Sequence, residues 1–98
     1  MNEGWAYIYF ATAGLSGPVK IGRSVNPEKR VAQLSTGSWV ALEMLATIEV
    51  EDDRASDLEA NIHVMFNEDR LRGEWFRMSP RLESFIRSLA FGYEQVPF

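Results

Sequence analysis

The sequence contains no cysteine and only one histidine. It therefore offers no disulfide and no thiolate metal site, which is typical of proteins in a reducing cytoplasm. No apolar run approaches the roughly 20 residues that a membrane-spanning helix needs, and the N-terminal segment lacks the basic and apolar regions of a signal peptide. We therefore expect a cytoplasmic protein that makes no membrane contact.

The chain also lacks an excess of basic charge. Ten lysine and arginine residues face 14 acidic ones, for a net charge of -4, which argues against strong non-specific binding to nucleic acid. The charge is uneven, however, because residues 43–59 carry seven acids and one arginine. Basic side chains fall into two groups, Lys20, Arg23, Lys29 and Arg30, and then Arg70, Arg72, Arg77, Arg81 and Arg87. An acidic protein with this pattern can still present one basic surface.

Hydrophobic periodicity predicts the fold class. The 98 residues suit one domain, with a core over about residues 5–90 and a loosely docked tail over 91–98. Strand patterns occupy 5–11, 19–23, 41–50 and 74–78, and helices begin near Asn26, Asp52 and Ser79. This order predicts an α+β fold, a small, mostly antiparallel mixed sheet flanked by about three helices.

Three segments carry more detailed predictions. In 41–50, the even-numbered apolar residues should share one face of a strand. We expect residues 67–73 to form a loop. The helix that begins at Asp52 has an apolar stripe, with Glu59 and His63 one turn apart on its flank. The stripe consists of Ala55, Leu58, Ile62, Met65 and Phe66.

Four ordered blocks of the sequence resemble the GIY-YIG nuclease superfamily. They are similar to its short branch from phages and bacteria, sometimes called the meiotically up-regulated gene type. The blocks are Tyr7-Ile8-Tyr9, then VKIGRSVNPEKRVAQLSTG over 19–37, then Leu58-Glu59 with His63 and Phe66, and finally Gly73-Glu74-Trp75-Phe76. The resemblance extends from residue 7 to about residue 78 and implies one GIY-YIG-like domain over 1–98.

The resemblance implies roles for individual residues. Tyr9 corresponds to the tyrosine that holds or activates water, and Arg30 to the arginine that contacts the scissile phosphate. Glu59 corresponds to the glutamate that binds one divalent metal, Mg²⁺ or Mn²⁺, and Glu74 is the alternative carboxylate. One carboxylate is chemically sufficient, because Mg²⁺ keeps most of its waters.

The sequence departs from the superfamily pattern at two positions, which leaves the general base open. Lys20 replaces the tyrosine of the second tripeptide, as is usual in the short branch, and Leu34 stands where a histidine is often found. His63 is a candidate substitute from the other helix. Tyr9 would need nearby positive charge to lower its pKa from about 10, which Lys20 and Arg30 can supply.

Each of these residues also has an ordinary structural interpretation. From composition alone, Tyr9 is a packing aromatic, Arg30 is a surface residue, and Glu59 with His63 is a pair along one helix. Glu74 would then be the partner of a basic side chain. Trp5 and Trp39 are candidates for base stacking, although packing is the commoner role.

We predict a metal-dependent DNA endonuclease or nickase that hydrolyses phosphodiester bonds of double- or single-stranded DNA in a bacterial or phage-infected cell. The catalytic candidates are Tyr9, Lys20, Arg30, Glu59 and His63, and the DNA-binding candidates are Lys20, Arg23, Lys29 and Arg30. The alternatives are an inactive nucleic-acid-binding module and a protein–protein interaction factor on a nuclease scaffold. A homodimer or a protein partner would increase the specificity that so small a domain can achieve.

Overall fold

The computed structural model describes residues 4–14, 17–37 and 40–91. Within them, five strands and three α-helices form an α+β fold, as predicted. The elements are β1 (Trp5–Ala13), β2 (Val19–Ser24), α1 (Pro27–Thr36), β3 (Leu42–Glu51), α2 (Asp52–Met65), a 3-10 turn (Asn67–Asp69), β4 (Arg70–Arg72), β5 (Trp75–Phe76) and α3 (Pro80–Phe91). Trp39 and the predicted tail beyond residue 91 lie outside the described residues.

The five strands form one sheet in the order β3-β1-β2-β5-β4, and every pairing between them is antiparallel. The main core lies between one face of this sheet and helices α2 and α3, where Phe10, Ile62 and Leu82 pack together. A smaller cluster on Tyr9, Ala11 and Val31 lies between the other face and α1. The two helical layers therefore cover opposite faces of the sheet.

Two helices begin as the sequence predicts. The side-chain oxygen of Asn26 accepts a hydrogen bond from the backbone N–H of Lys29 at 3.1 Å, and Pro27 follows as the first helical residue of α1. Ser79 plays the same part before α3, since its hydroxyl accepts from the backbone N–H of Leu82 at 3.2 Å. These caps fix the starting points of α1, which lies beside the pocket described below, and of α3, which packs against β3.

The predicted alternation of strand β3 is wrong. The partner of Phe10 is Ala46 but the partner of Ala11 is Met44, so Leu45 is an extra, bulged residue. A one-residue insertion exchanges the two faces of a strand. Leu42 and Met44 therefore pack with the Tyr9 cluster, whereas Ala46 packs in the main core.

The predicted apolar stripe of α2 is wrong at Met65, which is 50% exposed. Successive residues of a helix are about 100° apart, and the buried position in the last turn is taken by Phe66. Met65 therefore turns towards solvent. Glu59 and His63 are half-buried on the flank of the stripe, as expected.

The expected loop over 67–73 is also wrong, because it contains the 3-10 turn and strand β4. The strand expected over 74–78 is reduced to Trp75–Phe76. β5 pairs with only Val19 and Lys20 of β2, so the rest of that edge of β2 is not covered by a strand within the described residues. None of the helices described has both the length and the apolar character that crossing a bilayer requires.

Candidate active site

The uncovered edge of β2 is where the candidate site lies. Val19 and Lys20 pair with β5, and the backbone N–H of Ile21 donates to the carbonyl of Glu74 at 2.9 Å. Beyond Ile21, α1 from one face of the sheet and α2 from the other both reach this edge. They enclose a pocket of about 210 Å³ lined by Tyr9, Arg23, Arg30, Glu59 and Glu74.

Tyr9 enters the pocket from the centre of the sheet. It is 1% exposed and lies opposite Gly22 in the β1–β2 pairing. A Cβ atom at Gly22 would lie 2.7 Å from the Tyr9 hydroxyl oxygen, closer than any side chain allows. Glycine at position 22 therefore makes the space in which the phenol ring lies across β2.

The hydroxyl of Tyr9 is held as a neutral phenol. Burial raises its pKa, and the charges of Glu74 and Glu59 add to this, while the adjacent Arg30 guanidinium acts in the opposite direction. The net pKa lies above the ordinary value for tyrosine. Arg30 does lower this pKa, as the sequence indicated it could, but burial outweighs its effect.

Arg30 is one of two exposed arginines that line the pocket, together with Arg23. It projects from the first turns of α1, beside the Tyr9 hydroxyl, and makes no ion pair with any residue that the structure describes. Its guanidinium fork is therefore available to an anion that enters the pocket.

Glu59 reaches the pocket from α2, with its side chain 12% exposed. Its Oε1 accepts from Nε of Arg23 at 3.1 Å. Its Oε2 is buried and has no hydrogen-bond partner among the described residues. A buried carboxylate oxygen without a partner is costly, which marks this atom as a place where a ligand or a proton would be stabilising.

Glu74 faces Glu59 across the pocket and lies in the turn before β5. Its Oε1 accepts from Nζ of Lys20 at 2.9 Å, and the same ammonium lies 5.6 Å from the ring centroid of Trp75. Lys20 is therefore the basic partner that was expected for Glu74 if this residue has an ordinary structural role. Lys20 does not line the pocket itself, but it contacts Glu74, which does.

The two carboxyl groups have pKa values shifted in opposite directions. Burial raises the pKa of Glu59, and the negative charge of Glu74 raises it further, as does the hydrogen bond that a protonated Glu59 would make to Glu74. Burial acts in the same direction on Glu74, but the bond from Lys20 and the proton of Glu59 keep its pKa below the ordinary value. Of the two carboxyl groups, Glu59 therefore takes up a proton at the higher pH.

His63 lies behind the pocket, and its geometry argues against a role as general base. Its Nε2 lies 2.9 Å from the carbonyl oxygen of Ile21, and a carbonyl accepts but does not donate, so Nε2 carries a proton. The same atom is 3.9 Å from Oε2 of Glu59. His63 therefore supplies the carbonyl of Ile21 with the hydrogen bond that a longer β5 would give it. The imidazole ring of His63 also packs against the ring of Phe76, with 5.1 Å between the ring centroids.

The T5orf172 domain is the protein-family model that matches this chain, over residues 4–89 of 98. The chain belongs to the T5orf172 domain family. This family is one of small, phage-related domains associated with nucleases and DNA binding. No curated protein and no solved structure matches the chain.

A divalent cation fits the donor atoms of this T5orf172 domain. The orphaned Oε2 of Glu59 and the carboxylate of Glu74 line one pocket, and carboxylate oxygens suit Mg²⁺ and Mn²⁺. Among the residues that the structure describes, no three or more histidine or acidic side chains form a metal cluster. Waters and substrate oxygens would therefore complete the coordination of an ion held here.

The predicted site residues of the T5orf172 domain fall into three sets. Tyr9, Arg30 and Glu59 line the pocket together with Glu74, whereas His63 and Lys20 border it, and the exposed Lys29 is not among its lining residues. Arg23, which was predicted to bind DNA, also lines the pocket, and its bond to Glu59 was not predicted. No local pattern of the sequence indicates that bond, because the two residues are 36 positions apart.

Proposed function

We propose that this T5orf172 domain is a metal-dependent DNA endonuclease or nickase with chemistry of the GIY-YIG type. The observation that carries the proposal is the convergence of a buried phenol, two carboxylates and an arginine that makes no ion pair with the described residues, all in one pocket. These groups come from β1, α1, α2 and the turn before β5. They match the needs of phosphodiester hydrolysis, which are a positioned nucleophile, charge neutralisation and support for the leaving oxygen.

In the proposed mechanism, Arg30 binds the scissile phosphate. The planar, charged fork of an arginine can contact two phosphate oxygens at once. The neighbouring Tyr9 hydroxyl, neutral because of burial, both donates and accepts hydrogen bonds, so it orients a water against the phosphorus. This role differs from that of a standing phenolate base, which the raised pKa of Tyr9 disfavours.

Glu59, with Glu74 opposite, would hold the Mg²⁺ or Mn²⁺ ion. When bound, the ion supplies Lewis-acid polarisation of the phosphate and stabilises charge on the leaving oxygen. Arg23 and Lys20 each hold one of the two carboxylates in place. His63 fixes the edge of β2 from which Arg23 projects, which makes it a positioning residue in this scheme.

The test is nicking of supercoiled plasmid and of labelled single-stranded DNA in Mg²⁺ or Mn²⁺, with EDTA as the metal-free control. Arg30→Gln should lower the cleavage rate by about 10²-fold or more, as expected for a group that stabilises developing charge. Arg87→Gln is the matched control, because Arg87 is an exposed arginine on α3 that pairs with Glu83 at 3.3 Å. Equal cleavage by Arg30→Gln and Arg87→Gln contradicts the proposal.

A second candidate function, a nucleic-acid-binding module without cleavage, is favoured by one observation. Both pocket carboxylates already have a cationic partner, Arg23 for Glu59 and Lys20 for Glu74. A self-neutralised pocket of this kind binds a phosphate through Arg30 without needing a metal. Binding of DNA with no cleavage in Mg²⁺ or Mn²⁺ supports this candidate, and neither binding nor cleavage supports a protein-interaction role.

A further inference from the structure

A buried carboxylate organises arginines at the outer edge of the sheet. Asp69 is 4% exposed and accepts from the Ser79 hydroxyl at 2.7 Å and from Nη2 of Arg77 at 2.9 Å. Nη2 of Arg81 lies 3.5 Å from Oδ2 of Asp69, the oxygen that also accepts from Ser79. Arg77 and Arg81 are nevertheless 67% and 54% exposed, so most of their N–H groups face solvent.

Aromatic rings fix two arginines of the same region. The guanidinium carbon of Arg81 lies 5.3 Å from the ring centroid of Phe66, and that of Arg70 lies 5.3 Å from the ring centroid of Phe76. Contacts of this kind hold a guanidinium flat against a buried ring and leave its edge accessible. These side chains are therefore partly ordered before any ligand binds, which lowers the entropy lost on binding.

The arginines lie along strand β4 and the start of α3, and β4 continues towards the pocket. Arg72 pairs with Trp75, and Trp75 pairs with Lys20, which bonds to Glu74 at the pocket border. Two strand spacings separate Arg72 from Lys20, about 10 Å. That distance corresponds to about three nucleotide steps of 3.4 Å along a strand.

The charge balance of this surface favours an anion. Glu74 is bound by Lys20, which lies outside the segment 67–81. Within that segment, four arginines then face two acids, Glu68 and Asp69, for a net charge of +2. We define the arginine surface as Arg70, Arg72, Arg77 and Arg81.

We propose that the arginine surface binds the phosphates of the same polynucleotide strand whose scissile bond lies in the pocket. The choice of a polynucleotide rests on the proposed function, whereas the anion-binding geometry does not. Arg77 and Arg81 are held by Asp69, and Arg70 lies over the ring of Phe76. The register shift between Arg70 and Arg72 turns Arg72 to the other face of the edge strand, the face of Trp75 and Lys20. A chain of net charge -4 thereby gains a basic surface on both faces of this edge, with Arg72 on the side of Lys20.

The experiment is equilibrium binding of a labelled 20-nucleotide strand and of its duplex in EDTA, measured by fluorescence anisotropy across a salt series. The double variant Arg70→Gln/Arg72→Gln leaves the Asp69 network intact. Arg54→Gln/Arg87→Gln removes the same charge from exposed positions on α2 and α3. We expect the first variant to weaken duplex affinity roughly 10- to 50-fold at 0.1 M salt and to reduce the salt slope by about 2, with little change in the second.

The outcomes separate this inference from the proposed nuclease function. Loss of affinity in Arg70→Gln/Arg72→Gln supports the arginine surface even if the protein cuts no DNA. Equal affinities and slopes for the two double variants overturn it even if the wild type cuts. Unchanged DNA affinity with lost binding to polyglutamate overturns it in favour of an acidic protein partner. If the double variant does not fold, Arg72→Gln alone should weaken affinity about fivefold relative to Arg54→Gln, and no difference overturns the inference.

Discussion

Replacing Glu59 by glutamine should make the metal-free protein more stable. The wild-type carboxylate places Oε2 in a buried position without a hydrogen-bond partner among the described residues, while Oε1 bonds to Arg23. Glutamine keeps an oxygen for Arg23 and adds an amide N–H that can donate to Glu74. It therefore imitates the protonated form of Glu59, which the pocket favours because burial and the charge of Glu74 raise its pKa.

The size of the gain follows from two opposing contributions. A buried acceptor without a partner costs about 1–3 kcal/mol. Loss of charge from the bond to Arg23 removes about 0–1 kcal/mol, since Arg23 is 51% exposed and its ion pair is screened. The net gain is about 1 kcal/mol, or a rise in Tm of about 4–8 °C for a domain of this length.

The gain should depend on pH with a defined sign. Because the folded-state pKa of Glu59 is raised, the folded protein binds the proton more tightly than the unfolded chain does. The wild type therefore has this stability below the ordinary glutamate pKa and loses it as pH rises through the raised value. Glutamine does not titrate, so its Tm advantage should be largest at neutral pH and disappear in acid.

Thermal denaturation in EDTA at pH 4 to 8 measures this effect. Glu83→Gln is the control, because Glu83 is exposed and pairs only weakly with Arg87 at 3.3 Å. The free energy of unfolding of this variant should differ from that of the wild type by less than about 0.5 kcal/mol. A Tm for Glu59→Gln equal to or below that of the wild type at pH 7.5 would refute the description of Oε2 as an uncompensated buried oxygen.

Three further predictions concern Gly22 and Tyr9 at the pocket and the hydrogen bonds of Asp69. Gly22→Ala should cost about 1–3 kcal/mol in urea denaturation and lower cleavage, because its Cβ would meet the Tyr9 hydroxyl at 2.7 Å; unchanged activity contradicts the packing. Tyr9→Phe should keep stability within about 1 kcal/mol while cleavage falls about 10²-fold or more, and full cleavage removes the hydroxyl from the mechanism. Asp69→Ala should cost about 2–4 kcal/mol, from one buried charge-assisted bond to Ser79 and two screened arginine pairs. Because the Ser79 bond lowers the pKa of Asp69, the stability that the wild type has over this variant should shrink as pH falls below the ordinary aspartate pKa; an acid-independent difference argues against that bond.

The fold class was predictable because local chemistry defines most elements. Asn26-Pro27 and Ser79-Pro80 mark the starts of two helices, and alternating β-forming residues mark β1 and β2. Each of these signals lies within a few consecutive residues of the sequence. The features that were not predictable depend on distant partners. The bulge at Leu45 arises where β3 must serve α1 at one end and α2 and α3 at the other. Strand β4 has three exposed residues and no alternating pattern.

The sequence predicted which residues line the candidate site better than it predicted their ion pairs and pKa shifts. The blocks shared with the GIY-YIG superfamily predicted that Tyr9, Arg30 and Glu59 belong to one site, and these three residues line one pocket in the structure. Periodicity cannot indicate which cation each carboxylate binds, because those partners are separated by 36 and 54 positions. It also cannot show that burial outweighs Arg30 at the Tyr9 hydroxyl, since burial is a property of the packed fold.

The measurement that tests the central claim most directly is plasmid nicking by Glu59→Gln in Mn²⁺, made on the same preparation whose Tm has been determined. A nuclease pocket built around Glu59 predicts a variant that is more stable than the wild type and cleaves at least about 10²-fold more slowly. Stability then cannot explain the loss of activity. Cleavage at the wild-type rate by this folded variant would contradict the assignment of Glu59, and with it the pocket, as the phosphodiester site.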